Sequence, residues 1–350
     1  MNRQKSQYDR KKPFSVKIGK QASWKRWGIL GFSVLLLLLA GWGYQMIGTT
    51  IDAQAYPPPG KLVEVGGYRL HIDCTGKGSP TVILDAGLGV SSLIWSRVQP
   101  EVARFTRVCS YDRAGLGWSD PGPTSQTSQQ IVTALHTTLL TRAQVTGPFI
   151  LVGHSFGGLN MRLYASEYRQ DTAGLILVDA PDEGKPLAVS PVTHQVINIC
   201  HALAQVGIMR LAGLINLYPD DLGTYDSSVL PMVKALMVLP KYFTATYEEQ
   251  AGYAVSEAEV HAHRYSLGHL PLIVLTAGRS DFSDAVSLHQ EQLWQNRLAR
   301  FLSSNSKQVI ASKSGHVIQF YQPELLVKAI TQVLYVAQHG GNLSYLKRLV

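Results

Sequence analysis

The run Phe149-Ile150-Leu151-Val152 leads directly into Gly153-His154-Ser155-Phe156-Gly157-Gly158. An apolar, β-branched segment therefore ends in Gly-x-Ser-x-Gly and passes into a helix-compatible stretch. Glycines on both sides of the serine allow a sharp strand-to-helix turn in which the central residue is strained and its side chain stands exposed. Such a turn presents a hydroxyl at the carboxyl edge of a sheet. The motif is common by chance, so its weight comes from what surrounds it.

Strand-like and helical stretches take turns along the chain. Leu62 to Val65 and Tyr68 to Ile72 alternate around Gly66-Gly67, which predicts a hairpin. Apolar runs follow at Thr81–Leu84, Arg107–Tyr111, Phe149–Val152, Leu175–Val178, Leu272–Leu275 and Gln308–Ala311. Helical stretches lie around Ser92–Val102, Gln126–Ala143, Gly158–Glu167, Ser287–Leu302 and Pro323–Val336. Continuous apolar strands with helices between them imply an α/β fold: a mostly parallel, eight-stranded sheet covered on both faces. Ligands of such sheets bind outside the carboxyl ends of the strands. Between Pro181 and about Arg264 the alternation stops, and apolar helical patches (Val196–Leu214, Val229–Val238) take over. This stretch reads as a helical cap, 182–264, inserted after the sixth strand.

A serine hydroxyl needs a base to take its proton, and the base needs a group that fixes its tautomer and offsets its charge. Asp281 falls in the loop after Leu272–Leu275, and His316 in the loop after Gln308–Ala311, ahead of the helix opened by Pro323. The order Ser155, Asp281, His316 suits acyl transfer. Asp284, Asp179 and Asp182 compete with Asp281 for the acid's role. His154 reads as packing under the turn, and Asp112 and Arg113 as holding a loop together.

Three motifs occur in a consistent order: Gly-His-Ser-Phe-Gly-Gly; Tyr111-Asp112-Arg113-Ala114-Gly115-Leu116-Gly117-Trp118-Ser119-Asp120; and Gly315-His316 followed by Gln322-Pro323-Glu324-Leu325. On these residues the chain resembles the α/β-hydrolase superfamily, serine-nucleophile branch, from about Leu62 to Gln338 apart from the cap. The esterases and proline iminopeptidases are the groups it is most similar to. The resemblance implies a nucleophile elbow of Gly153, His154, Ser155 and Gly157. It also implies an oxyanion hole of two backbone amides, from Phe156 and from Leu88 in Asp85-Ala86-Gly87-Leu88-Gly89. Many relatives carry His-Gly where this chain has Ala86-Gly87. In this fold the strands holding Cys74 and Cys109 are neighbours, so the two are either a disulfide or a pair of buried thiols.

The formal charge of +8 resides in the amino-terminal tail: residues 1–26 hold nine Lys/Arg and one acid, leaving 23 basic and 23 acidic residues elsewhere. A neutral body removes the case for nucleic acid. Trp27 to Ile47 is uncharged and at about 1.5 Å per residue spans roughly 30 Å, the thickness of a bilayer's hydrocarbon. The positive flank places the amino terminus in the cytoplasm and the body on the far side. A cleaved secretory signal is the rival, with Ala53-Gln54-Ala55 as its site. The expected divisions are a basic tail (1–26), a transmembrane helix (27–47), a Pro-rich linker (48–60), the hydrolase core (61–181 and 265–338), the cap (182–264) and a carboxyl-terminal tail (339–350).

The expected protein is a membrane-anchored serine hydrolase acting on a small, apolar acyl ester through an acyl-enzyme. No metal or organic cofactor is implied. A serine nucleophile argues against the epoxide hydrolase and dehalogenase branches, which use aspartate. Cap residues Leu211, Leu214, Ile215, Met232, Leu236 and Met237 form cap core, some of them facing the serine as an apolar pocket. Amidase or aminopeptidase activity is the alternative, with Glu248-Glu249 or Glu257 and Glu259 gripping a free amino group. A non-catalytic binding relative is the other.

Overall fold

The computed structural model describes residues 20–123, 126–182, 191–217, 224–279 and 285–345. The hairpin pairs β1 (Lys61–Glu64) with β2 (Arg69–Thr75), and the Glu64 carboxylate accepts the amides of Gly66 and Gly67 in the turn. The remaining strands are β3 (Thr81–Asp85), β4 (Val108–Tyr111), β5 (Phe149–His154), β6 (Thr172–Val178), β7 (Leu272–Ala277) and β8 (Ser306–Ala311). They form one eight-stranded sheet in the order β1-β2-β4-β3-β5-β6-β7-β8. β1 and β2 pair antiparallel, β2 meets β4 antiparallel, and the other pairings are parallel.

The central strands are apolar at consecutive positions because both of their faces are covered. Ile83, Leu151, Leu175 and Val274 point into one core, shared with α3 (Ser128–Thr133), α4 (Phe156–Glu167) and α9 (Ala285–Leu302). Val82, Leu84, Ile150, Val152, Ile176 and Val178 point into the other, shared with α2 (Gln99–Val102), α10 (Ile318–Tyr321) and α11 (Pro323–His339). Two-residue periodicity thus appears as alternation between two cores. Cys74 and Cys109 are register partners on β2 and β4 and are bonded to each other as a disulfide.

Between β6 and β7 the described chain is helical: α5 (Pro191–Gln205), α6 (Ile208–Leu211), α7 (Leu230–Met237) and α8 (Pro240–Ala262). These helices have their own small core of Ile197, Ala204, Met209, Tyr242, Phe243 and Ala245, seated on Leu116 of the sheet's edge loop. Ile215 is in that region's interior, whereas Leu211 is 74% exposed.

The first helix, α1, runs from Lys20 to Ala55 without a break. It is the one described helix long and apolar enough to cross a membrane. It continues eight residues beyond Ile47, so the spacer to the sheet is only Tyr56 to Gly60, shorter than the linker expected over 48–60. Most of the basic tail lies outside the described residues.

Candidate active site

The site is assembled at the carboxyl ends of β5, β6 and β8. Ser155 follows β5 at φ 51°, ψ −122°, a left-handed conformation costly for a residue with a Cβ. The surrounding glycines make it possible. A methyl at Gly153 would strike the Gly157 carbonyl, and one at Gly157 would strike the carbonyls of Asp85 and Ala86. Substituting either forces the turn open.

Strand register brings in the next residue. His154 pairs with Val178 across β5 and β6, and the Ser155 amide donates to the Val178 carbonyl at 3.0 Å. The residue after Val178 is Asp179, also at positive φ (43°). Its carboxylate accepts from His316 Nδ1 at 2.7 Å, while the other oxygen accepts the Ala277 amide (3.0 Å) and the Gln295 amide (3.2 Å). Burial alone would raise the Asp179 carboxyl, but the His316 contact and these two donors more than offset it and hold it below the ordinary value. Asp179 is thus an ionised carboxylate fixed to one imidazole nitrogen. His316 itself is 41% exposed, open to a substrate.

Ser155 lies in the turn after β5 and His316 in the loop after β8. The expected acid, Asp281, and its neighbour Asp284 lie outside the described residues. Among the described residues the carboxylate on His316 is Asp179, which the sequence had ranked as a competitor. β6 and β7 are adjacent parallel strands, so loops after either end reach the same point above the sheet. The left-handed turn at Asp179 aims its carboxylate at His316.

His154 is a structural group. It is buried, its Nε2 donates to the His316 carbonyl at 3.0 Å, and its ring lies 4.7 Å from that of His316. Burial first, and then the neighbouring His316, lower its pKa to about 3. Gly87 is required beside it, since a Cβ there would come within 2.9 Å of His154 Nδ1 and 3.4 Å of Ser155 Cβ. Below pH about 6.5 an unfolded chain protonates this ring, whereas the folded chain does so only near pH 3. Stability is accordingly lost as pH falls through that window, by up to about 1.4 kcal/mol per pH unit from this ring. His154→Gln, which keeps a donor without titrating, is expected to flatten the acid limb of Tm between pH 7 and 4. An unchanged slope contradicts the assignment.

The loop bearing Leu88 is held by a buried ion-pair cluster. Arg113, beyond β4, donates through Nη1 to Asp85 (2.7 Å) and the Ala86 carbonyl (2.7 Å), and through Nη2 to the Gly87 carbonyl (2.6 Å). Its Nε and Nη2 also bind Glu249 of α8, at 2.6 and 3.1 Å. Glu249 in turn accepts the Gly89 amide at 2.7 Å, and Asp85 accepts from Asn160 of α4 at 2.8 Å. Burial would lower the Arg113 pKa, but Glu249 and Asp85 outweigh it and hold the cation firmly charged. The guanidinium also lies 5.5 Å from the Phe156 ring centre, tying the loop to the start of α4.

These contacts revise two readings. Glu249 is fully buried, and its oxygens are committed to Arg113 and Gly89. Glu259 accepts the Gln129 amide at 2.9 Å. Glu249 is therefore not a carboxylate left for a substrate's amino group, and one oxygen of the half-exposed Glu259 is occupied. Arg113→Met strands two carboxylates in a dry interior, which costs about 3–5 kcal/mol when a buried pair loses one member. Urea unfolding should register that loss; a change under about 1 kcal/mol would mean that water replaces the guanidinium.

The sheet order, the strained serine and the loop around it define an α/β-hydrolase, and the chain belongs to the alpha/beta hydrolase family, whose model matches residues 82–329. Among curated proteins it is similar to uncharacterized protein YqjL of Bacillus subtilis, 25% identical over 276 residues that span 78% of this chain and 91% of that one. Among solved structures it is similar to a thermophilic esterase from Thermogutta terrifontis, with TM-score 0.59 and 23% identity over 79% of this chain and 97% of that one. The Cif epoxide hydrolase from Acinetobacter nosocomialis gives TM-score 0.64 and 14% identity, over 84% and 96%. At such identities these structures establish the fold, not the substrate.

Proposed function

We propose that this hydrolase is a membrane-anchored serine esterase working through an acyl-enzyme. Ser155 attacks the ester carbonyl while His316 takes its proton. With Nδ1–H donated to Asp179, a neutral imidazole has Nε2 as its basic nitrogen. The Phe156 and Leu88 amides hold the developing oxyanion. His316 passes the serine proton to the departing alcohol, leaving the acyl-enzyme; it then takes a proton from water as the water attacks the acyl carbon, and returns it to Ser155 as the acid leaves. Asp179 keeps its charge throughout and offsets that of the imidazolium.

The observation supporting this reading is the link from Ser155 through the Val178 carbonyl to Asp179, whose carboxylate accepts from His316, at the carboxyl edge shared by β5, β6 and β8. A serine at the elbow supports acyl chemistry over epoxide opening, which in relatives begins from aspartate. The unbroken helix through Ala53-Gln54-Ala55 supports an uncut anchor over a cleaved signal, with the amino terminus cytoplasmic and the body exported. A fluorophosphonate probe applied to the full chain in detergent is expected to modify Ser155, located by peptide mass spectrometry. Complete resistance to the probe while the protein remains folded would sink the proposal.

A further inference from the structure

The half of α1 nearer the body does not stand apart from it. Gly41 and Gly48 lie against the region between β6 and β7: a methyl at 41 would strike the Val206 carbonyl, and one at 48 would come within 2.8 Å of the Arg210 side chain. Arg210 pairs with Asp52 and also reaches Gln45, whose own amide donates to the Val238 carbonyl at 3.3 Å. Gly41 is six residues inside the uncharged stretch Trp27–Ile47, or about 9 Å along the helix axis. The turn joining α5 to α6 therefore reaches the depth of α1's apolar span.

That turn and the helix leading into it suit such a position. From Pro191 to Met209 there is no Lys, Arg, Asp or Glu. Val192, Val196 and Ile199 stand on one face of α5 and are 64%, 51% and 58% exposed, and Leu211 beyond the turn is 74% exposed. Exposed aliphatic residues in an uncharged segment, continuous with a bare apolar helix, mark a surface covered by lipid rather than water.

A cavity of about 750 Å³ lies between α1 and this region, and neither Ser155 nor His316 lines it. Trp42 and Met46 of α1 form one wall, Leu62 and Trp118 the floor, and Leu236 and Leu239 the other wall. Its charged residues are already engaged: Asp52 with Arg210, and Lys241 with the carbonyls of Gly117 (2.8 Å) and Ser119 (2.7 Å). The space therefore suits an uncharged, flexible, apolar chain. Met46 and Trp42 fall at and just inside the end of the uncharged stretch, so that chain arrives from the bilayer.

We propose that the α5–α6 face is sunk in the leaflet beside α1, and that the cavity between α1 and the α7–α8 turn takes an acyl chain of a membrane lipid. The proposal rests on α1 being the membrane anchor. The full chain should be reconstituted in phosphatidylcholine vesicles containing a phosphatidylcholine with a diazirine on its acyl chain, then irradiated and mapped by peptide mass spectrometry. Adducts are expected on Leu35–Leu39, on α5 around Val196 and Ile199, and on residues 235–241. Leu236→Trp, or Met46→Trp from the opposite wall, should reduce the adducts at 235–241 by about tenfold, the factor for excluding two methylenes. The Leu35–Leu39 adducts should persist. Adducts on Leu35–Leu39 alone overturn the cavity and the immersed face while sparing the anchor; no adducts anywhere overturn the anchor as well. Fluorophosphonate labelling of Ser155 in the same vesicles reports separately on the catalytic reading.

Discussion

Ser155→Ala is expected to reduce kcat/KM for p-nitrophenyl esters by at least about a thousand-fold, tending toward the roughly 10⁶-fold seen when a working triad loses its serine. The size of the effect follows from what remains. Without the hydroxyl there is no acyl-enzyme, and His316 can only assist water. The oxyanion amides and the binding site survive, so a residual rate above solution is expected rather than zero. The elbow should survive too, because the Ser155 amide, not its side chain, makes the bond to Val178. A methyl side chain fits the same strained backbone no worse than a hydroxymethyl. The measurement should use esters of graded chain length, with Tm recorded alongside. Wild-type activity that passes unchanged through the substitution would refute the nucleophile, whatever the fold.

How much of this was legible beforehand depended on whether the information was local. The strand runs, the serine turn and His316 were readable because each rests on a few consecutive residues whose physics is short-range. Phe149–His154 must be a buried strand, and only glycine satisfies positions 153 and 157. The helical stretch after β6 was visible as a break in alternation. Its attachment was not: nothing near Arg210 in sequence points to Asp52, and nothing near Glu249 points to Arg113. Glu249 sits beside Glu248 and looks solvated, yet it is buried because an arginine 136 residues earlier arrives at the same point. Likewise the helix expected to end near Ile47 runs to Ala55, since Asp52 gains a tertiary ion pair with Arg210 that replaces apolar character as the reason to stay helical. Long-range ion pairs leave no periodic trace, and these were the parts missed.

Asp179 is the acid the described geometry offers and Asp281, outside the described residues, the one the sequence favours; Asp179→Asn against Asp281→Asn separates the two loops. In the first variant Oδ1 can still accept the Ala277 amide and the Gln295 side chain, so the loop should keep its shape. The group facing His316 Nδ1 becomes an NH₂, however, which donates where the carboxylate accepted. The imidazole must then hold its proton on Nε2, the nitrogen that has to receive one from Ser155. It also loses the charge that stabilised its cationic form. Together these losses predict a fall in kcat of about 10⁴, with little change in KM. Asp281→Asn should alter kcat by less than about threefold, under 1 kcal/mol of barrier. The pH profile adds a second readout. Because its contacts hold the Asp179 carboxyl below the ordinary aspartate value, it stays ionised across neutral and mildly acidic pH. The acid limb of kcat/KM should therefore follow the protonation of His316, and Asp179→Asn should lower the plateau rather than introduce a carboxylate step. A full loss in Asp281→Asn with a mild effect at 179 would move the acid to the loop after β7 and leave Asp179 as a prop for that imidazole.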